Sequence, residues 1–383
     1  MKGFFITFLL IAVVPLKAQE VIWQKVHDKN EATAYSITET DDGCFVIGGK
    51  ISYHDGHGLD AYLAKVDKDG EMIWGKRFGG DFDDGFYAIS KTSDGGFILA
   101  GETTPSIEDL LGSVPGESDV YLVRTDKDGN KIWEKTFGGK EKDRAKAVIQ
   151  TKDGNFIIVG YSYSSGMGRN DVYVIRTDKD GNKIWEKTFG GKNKDKANAV
   201  IQTKDGNFII VGVTKSFGAG EEDIYLVKLN KHGKKIWSRT IGGKKEDKAN
   251  AILETEDGGL IIAGLTRTFG KGEGDVYLIK TNKNGRKIWQ KTFGGEDGDE
   301  AYSIIETEDG FISAGYTFSY GHSGDFYLIK VDNEGNKVWE KRTGKGGNDI
   351  AYSISRCSDG GFIVAGFAKL YSTRKVIYLV RFK

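Results

Sequence analysis

Tryptophan recurs through this chain with a fixed period. Trp133, Trp185, Trp237 and Trp289 stand 52 residues apart, and Trp23, Trp74 and Trp339 extend the series less regularly. Seven tryptophans mark seven units. Repeats of roughly 50 residues belong to propellers and solenoids, where each unit buries its apolar face against the next copy. One unit, Ala301 to Gly344, shows the internal order. Ala301–Ile305 is a strand-like run, Glu308–Gly310 a tight turn and Phe311–Thr317 a second run; a looser loop follows over Phe318–Gly324. Asp325–Lys330 is a third run, Asn333–Gly335 another tight turn and Lys337–Lys341 a fourth run. Short runs rich in β-branched and aromatic residues, punctuated by Gly and Asp, are strands. Beyond the N-terminal segment no stretch keeps a helical period. The expected fold is all-β: a seven-bladed β-propeller of four-stranded antiparallel blades.

The two ends complement each other. After Trp339 the chain supplies three runs, through Ala351–Ile354, Phe362–Phe367 and Ile377–Phe382, and the missing fourth is present as Val21–Lys25. The N-terminal strand should therefore complete the last blade, closing the ring and hiding two sheet edges. Residues 1–18 read as a signal peptide, with Lys2, the apolar run Phe4–Leu16 and a cleavage site at Leu16-Lys17-Ala18. Residues 19–383 then form one propeller domain that is secreted, periplasmic or held at the cell surface. The apolar run is too short to span a bilayer comfortably, and no cysteine follows the cut to carry a lipid. No stable membrane insertion is expected.

Lys+Arg and Asp+Glu balance at 55 each, so no overall field draws the chain to nucleic acid. Glycine at 54 against proline at 3 suits many tight turns between ordered strands. Cys44 and Cys357 fall in the first and last blades, which a closed ring makes neighbours. A ring-locking disulfide is open to them, and two separate buried thiols are the plainer reading.

Residues 121–133, Tyr-Leu-Val-Arg-Thr-Asp-Lys-Asp-Gly-Asn-Lys-Ile-Trp, resemble the repeat of quinoprotein-like propellers. The fuller pattern, seen at Trp133–Gly139 and Thr151–Gly160, is similar to exported bacterial and archaeal repeat propellers. The resemblance covers nearly the whole chain after the leader. It implies the fold and leaves activity open, because the superfamily holds both dehydrogenases and non-enzymatic assembly scaffolds. Quinoprotein dehydrogenases carry eight blades, a vicinal disulfide and a calcium-linked cofactor. Seven blades and no adjacent cysteines depart from that pattern, so no cofactor is implied.

Residues that recur in every blade serve first to build blades. The Asp-Lys-Asp-Gly runs at Asp126 and Asp178 lack the later ligands of a calcium loop and read as hairpin turns. Asp84, Asp143, Asp195, Asp247, Asp299 and Asp349 precede the innermost strands, while Asp60, Asp119, Asp171, Asp223, Asp275 and Asp325 precede the third strands. Such rings suit backbone N–H groups better than cations. His54, Asp55 and His57 share one loop and read as an exposed polar loop rather than a metal site. No metal ligand set and no catalytic nucleophile is recognisable.

Functional information lies where the repeat breaks. Tight and long connections alternate, so both long kinds share one face of the disc. That face also carries the insertion Thr103–Ser118. Loops leading into blades three, four and five are basic, including Lys142, Lys194 and Lys245; those into blades two and six are acidic. The inner strands bear Tyr302, Tyr352, Tyr35 and Tyr87 in blades six, seven, one and two, but Lys146, Asn198 and Asn250 in blades three to five. A tyrosine arc near the axis either packs blade on blade or offers flat, hydroxyl-bearing contact area. The leading expectation is an exported, non-catalytic and monomeric binding propeller. Its loop-rich face would engage a glycan or an extracytoplasmic protein through Tyr35, Tyr87, Tyr302 and Tyr352, oriented by Lys142, Lys146, Lys194 and Lys245. The alternatives are an enzyme with its site at the axial mouth, quinoprotein-like or a lyase or hydrolase, and a structural scaffold for envelope assembly.

Overall fold

The computed structural model describes residues 20–27, 29–52, 58–104, 117–321, 323–370 and 374–383. The leader, the His54–His57 loop and most of the 103–118 insertion lie outside these. Seven four-stranded antiparallel sheets are present, six of them formed from consecutive strands. In the seventh, Ile350–Arg356, Phe362–Leu370 and Arg374–Phe382 are joined by Val21–His27. That N-terminal strand runs antiparallel to the last one, from Val21 opposite Phe382 to His27 opposite Ile377. Tyr378 donates to Gln24 Oε1 at 2.6 Å across this closure. The first strand of each blade packs against its counterparts, so those strands line the axis. Among the described residues no helix is long and apolar enough to cross a membrane.

Apolar side chains fill the gaps between blades. Ile157, Val159, Val172 and Val174 of blade three meet Ala197, Val200, Phe208 and Ile210 of blade four. Burying each large aliphatic or aromatic side chain is worth about 1.5–3 kcal/mol, so blade stacking is the main cohesive term. The periodic tryptophan is the outer latch. Six of the seven rings, all but Trp339, cover the third-to-fourth turn of the next blade, where a Cβ on Gly129 would sit 2.6 Å from Trp74 and one on Gly335 2.9 Å from Trp289. Gly129 also has φ +74°, so turn geometry and close approach both exclude a side chain there. Trp23 Nε1 donates to the Lys68 carbonyl at 2.9 Å, tying the closing strand to blade one.

The recurring acids have structural employment. Asp42, Asp94, Asp153, Asp205, Asp257, Asp309 and Asp359, one per blade, sit in the first-to-second turn and pair with Lys65, Arg124, Arg176, Lys228, Lys280, Lys330 and Arg381 of the third strand. Asp126 accepts from the backbone N–H of Asp128 and Asn130, as a turn residue does. Both cysteines are free thiols, so the ring-locking disulfide is not formed. Cys357 takes the place that threonine holds in the equivalent turns, and it is buried in the blade seven–one core.

At five blade junctions, from two–three to six–seven, two aspartates flank a glycine, Gly138, Gly190, Gly242, Gly294 and Gly344. A Cβ on Gly138 would fall 1.9 Å from Asp119 Oδ1 and 2.7 Å from Asp143 Oδ2. The strand-initial carboxylates accept from loop amides: Gly80 to Asp84, Gly139 to Asp143, Gly191 to Asp195 and Gly243 to Asp247, all at 2.8 Å. Burial, reinforced by the neighbouring aspartate, pushes Asp84, Asp119 and Asp275 up to about 6. A pKa raised above the unfolded value of 3.8 gives stability that is present below about pH 4 and lost as pH rises through about 6. The turn aspartates run oppositely, since their lowered pKa values give stability that is lost in acid. Thermal stability should therefore be greater at about pH 5 than at about pH 7.5 and fall again below about pH 3.5. Asp119→Asn should gain about 1 kcal/mol at about pH 7.5, solvent contact limiting the effect, and little at about pH 4.5. Calorimetric melting across pH checks both.

Candidate binding site at the axial mouth

Every innermost strand carries one extra residue. Its pairing with the second strand slips between Ala34 and Ser36 in blade one, Phe86 and Ala88 in blade two, and Ala145 and Ala147 in blade three. The same slip falls between Ala197 and Ala199, Ala249 and Ala251, Ala301 and Ser303, and Ala351 and Ser353 in blades four to seven. The unpaired residues are Tyr35, Tyr87, Lys146, Asn198, Asn250, Tyr302 and Tyr352, one per blade. A bulge bends its strand and re-aims the side chain. Opposite each bulge stands a glycine, because the bulged backbone approaches too closely for a side chain. A Cβ on Gly160 would lie 1.9 Å from the Arg144 carbonyl, and one on Gly212 1.9 Å from that of Lys196. This explains the glycine closing each Phe-Ile-Ile-x-Gly run.

The four tyrosines meet as a continuous arc. Ring centroids are 5.1 Å apart for Tyr87 and Tyr35, 4.9 Å for Tyr35 and Tyr352, and 4.9 Å for Tyr352 and Tyr302. All four are half-buried, so they pack on one another and still present an edge to solvent. Burial raises the hydroxyls of Tyr35, Tyr87, Tyr302 and Tyr352, which keeps them protonated. The asparagines are committed between blades. Asn198 Nδ2 donates to the Ala249 carbonyl at 2.8 Å, and Asn250 Nδ2 to the Ala301 carbonyl at 2.9 Å and to Glu300 Oε1 at 2.8 Å.

Between Tyr87 and the asparagines the mouth is cationic. Lys146 Nζ stands 4.0 Å from the Tyr87 centroid, with Arg144 Cζ at 5.1 Å and Lys50 Nζ at 5.2 Å from the same ring. Lys196 Nζ lies 4.8 Å from the Tyr161 centroid. Glu102, 4% exposed, is the counter-ion. It pairs with Lys50 at 2.9 Å, with Arg144, and with Lys142 at 3.9 Å, and it accepts from Tyr87 and Ser118. Burial alone would raise Glu102, but Arg144 and Lys50 outweigh it and hold the carboxyl at about 2. Lys146 is pushed down to about 7, by burial first and the Arg144 charge second. Lys196 is lowered by burial and then by Lys194. Across the axis Glu300 is buried and accepts from Asn250, Tyr302 and Tyr316.

Of the residues singled out in the sequence, the four tyrosines and Lys146 come together at the axis. Lys142 joins them through Glu102, and Lys194 borders Lys196. Lys245 is exposed in its loop, where its N–H donates to Thr268 Oγ1 at 3.0 Å, and it does not reach the tyrosines. Glu102, Lys50, Arg144, Lys196 and Glu300 complete the mouth without having been candidate ligands. Glu102 and Lys50 follow the bulge-facing glycine, a position that is Tyr161, Val213, Leu265, Tyr316 and Phe367 in the other blades. That break in the pattern is the signal by which the sequence could have disclosed them. Among the described residues no group of three or more His, Cys, Asp and Glu is placed to hold a metal ion.

Seven four-stranded blades, closed by the N-terminal strand, define a seven-bladed β-propeller. Within that class the chain belongs to the family described as outer membrane protein assembly factor BamB, whose model matches residues 59–298 and 116–368. The regulatory protein FlaEY of Caulobacter vibrioides is 22% identical over 201 residues, a match covering 45% of this chain and 21% of that protein. The chain thus matches about a fifth of that relative's length. Among solved structures, a Dyadobacter fermentans protein of unknown function superposes with a TM-score of 0.52 at 12% identity, covering 96% of this chain and 100% of that one. The polysaccharide lyase Uly1 gives 0.56 at 11% identity over 91% and 89%, and YCF48 bound to D1 peptide gives 0.52 at 11% over 94% of each. At these identities the likeness is one of fold.

Gly212→Ala should cost about 3 kcal/mol in denaturant unfolding, because its Cβ meets the bulge carbonyl. Gly206→Ala, whose Cβ meets nothing within 4 Å but whose φ is +78°, should cost only its turn strain, about 1 kcal/mol, and a Gly212→Ala cost no greater than that would remove the steric requirement at the bulge.

Proposed function

We propose that this chain is a non-catalytic, exported binding propeller whose long-loop face engages a protein partner at the axial mouth. The carrying observation is the bulge ring, which aims four half-buried tyrosines and Lys146 into one opening. Tyrosine supplies rigid contact area with a hydroxyl at low entropic cost, which suits peptide surfaces. The family's description as an assembly factor for outer membrane proteins supports a protein over a glycan, and an extracytoplasmic location. A glycan at the same mouth is the second reading, favoured by the flat tyrosine edges alone.

Photo-crosslinking in the native host tests this. A p-benzoylphenylalanine at position 194 or 245, on the long-loop face, should give protein adducts. The same group at position 127 or 283, in tight turns on the opposite face, should give none. In that background Tyr302→Ala with Tyr352→Ala should lower adduct yield at least about fivefold, as loss of two contact residues would. Equal adducts from both faces, or none from either, would remove the proposal. A fall in melting temperature that accounts for the lost yield would make the tyrosines packing residues only.

A further inference from the structure

The cations at the axial mouth outnumber the carboxylates beside them. Lys50, Lys142 and Arg144 share one acid, Glu102, whose oxygens also accept from Tyr87 and Ser118. Lys146 and Lys196 have no carboxylate within salt-bridge distance among the described residues; what faces them is a tyrosine ring, at 4.0 and 4.8 Å. Around Lys146 stand Arg144, Glu102, Lys196 and Lys50. Glu222 draws on Lys196 from farther off and is itself paired with Lys215. A ring face attracts a cation but carries no net charge. Three cationic groups crowd the single ring of Tyr87, at 4.0, 5.1 and 5.2 Å. Such like-charge crowding in a half-buried setting is unfavourable unless an anion joins it. Both lysines are half-buried and keep part of their surface in contact with solvent.

We propose that Lys146 and Lys196, with Arg144 behind them, form a carboxylate-binding subsite for an acidic side chain of the protein partner. The proposal rests on the preceding functional reading and adds the chemistry of the contact. The acid enters the long-loop mouth and lies between blades three and four, with the Tyr87 and Tyr161 rings as the walls. Glu102 stays with Lys50 and Arg144 and keeps the guanidinium in place. The asparagines of blades four and five are engaged by the next blade, so they do not compete for the anion. Binding an anion favours the charged amine, so Lys146 should take up a proton as the ligand binds near its own pKa of about 7.

Titration calorimetry with acetyl-hexaglutamate amide and its hexaglutamine analogue tests the subsite on the whole protein. The acidic peptide should bind, the neutral one should not, and Lys146→Met and Lys196→Met should each weaken binding about tenfold or more. Lys127→Met, in an exposed turn on the other face, should leave affinity within about twofold. Affinity for the wild type should fall about tenfold between about pH 6 and about pH 8.5, and that dependence should vanish in Lys146→Met. Both variants relieve like-charge crowding, so their melting temperatures should not drop. Equal binding of the two peptides, unchanged affinity in both lysine variants, or a pH dependence that survives Lys146→Met would overturn the subsite. Crosslinks from the mouth persisting beside any of these would leave the protein-binding reading intact and reject the acidic contact alone.

Discussion

The bulge in each innermost strand, opposed by a glycine, is the constraint on which the rest of this structure depends. Seven inner strands crowd one axis, and a regular strand would alternate its side chains between the two faces of its own blade. The extra residue breaks that alternation at one point and turns a single side chain away from its blade, while the alanine or phenylalanine before it stays buried. The facing glycine admits the displaced carbonyl; a methyl group there would fall within 2.0 Å of it in every blade. Structure and site thus share one device. The bulge that lets the inner strands close on the axis also supplies its lining.

Around that centre, charge is distributed by role. The aspartates of the turns pair with third-strand cations, and those of the blade junctions accept backbone amides, so the recurring acids are absorbed by architecture. What differs between blades is left to the mouth. Blades one to three contribute Lys50, Glu102 and the Arg144–Lys146 pair, blade four contributes Lys196, and blade six contributes Glu300. The axis therefore carries a cationic side and an acidic side although the chain's net charge is zero.

Much of this was legible beforehand because a repeated sequence reports its own architecture. The tryptophan period counted the blades, and the surplus N-terminal strand against the three-stranded last unit announced the closure. The tyrosine arc was visible as a substitution at one repeat position. Its meaning was not, since Tyr35 and Lys146 occupy the same slot whether that slot points into a core or into an opening. Glu102 was hidden because its partners in the ring, Lys50 and Arg144, come from different blades and from two different strand positions.

By itself the sequence determined the fold, the blade count and the closing strand, because strand period, turn residues and apolar spacing are local properties that every copy restates. It also determined which positions break the repeat. Only the tertiary structure decided what those breaks do together. Lys50, Tyr87, Glu102, Arg144 and Lys196 are spread over four blades, and their charges act on one another only once the ring has closed. Coulomb interactions and burial depend on distance and solvent access, which the folded ring sets and a linear order does not.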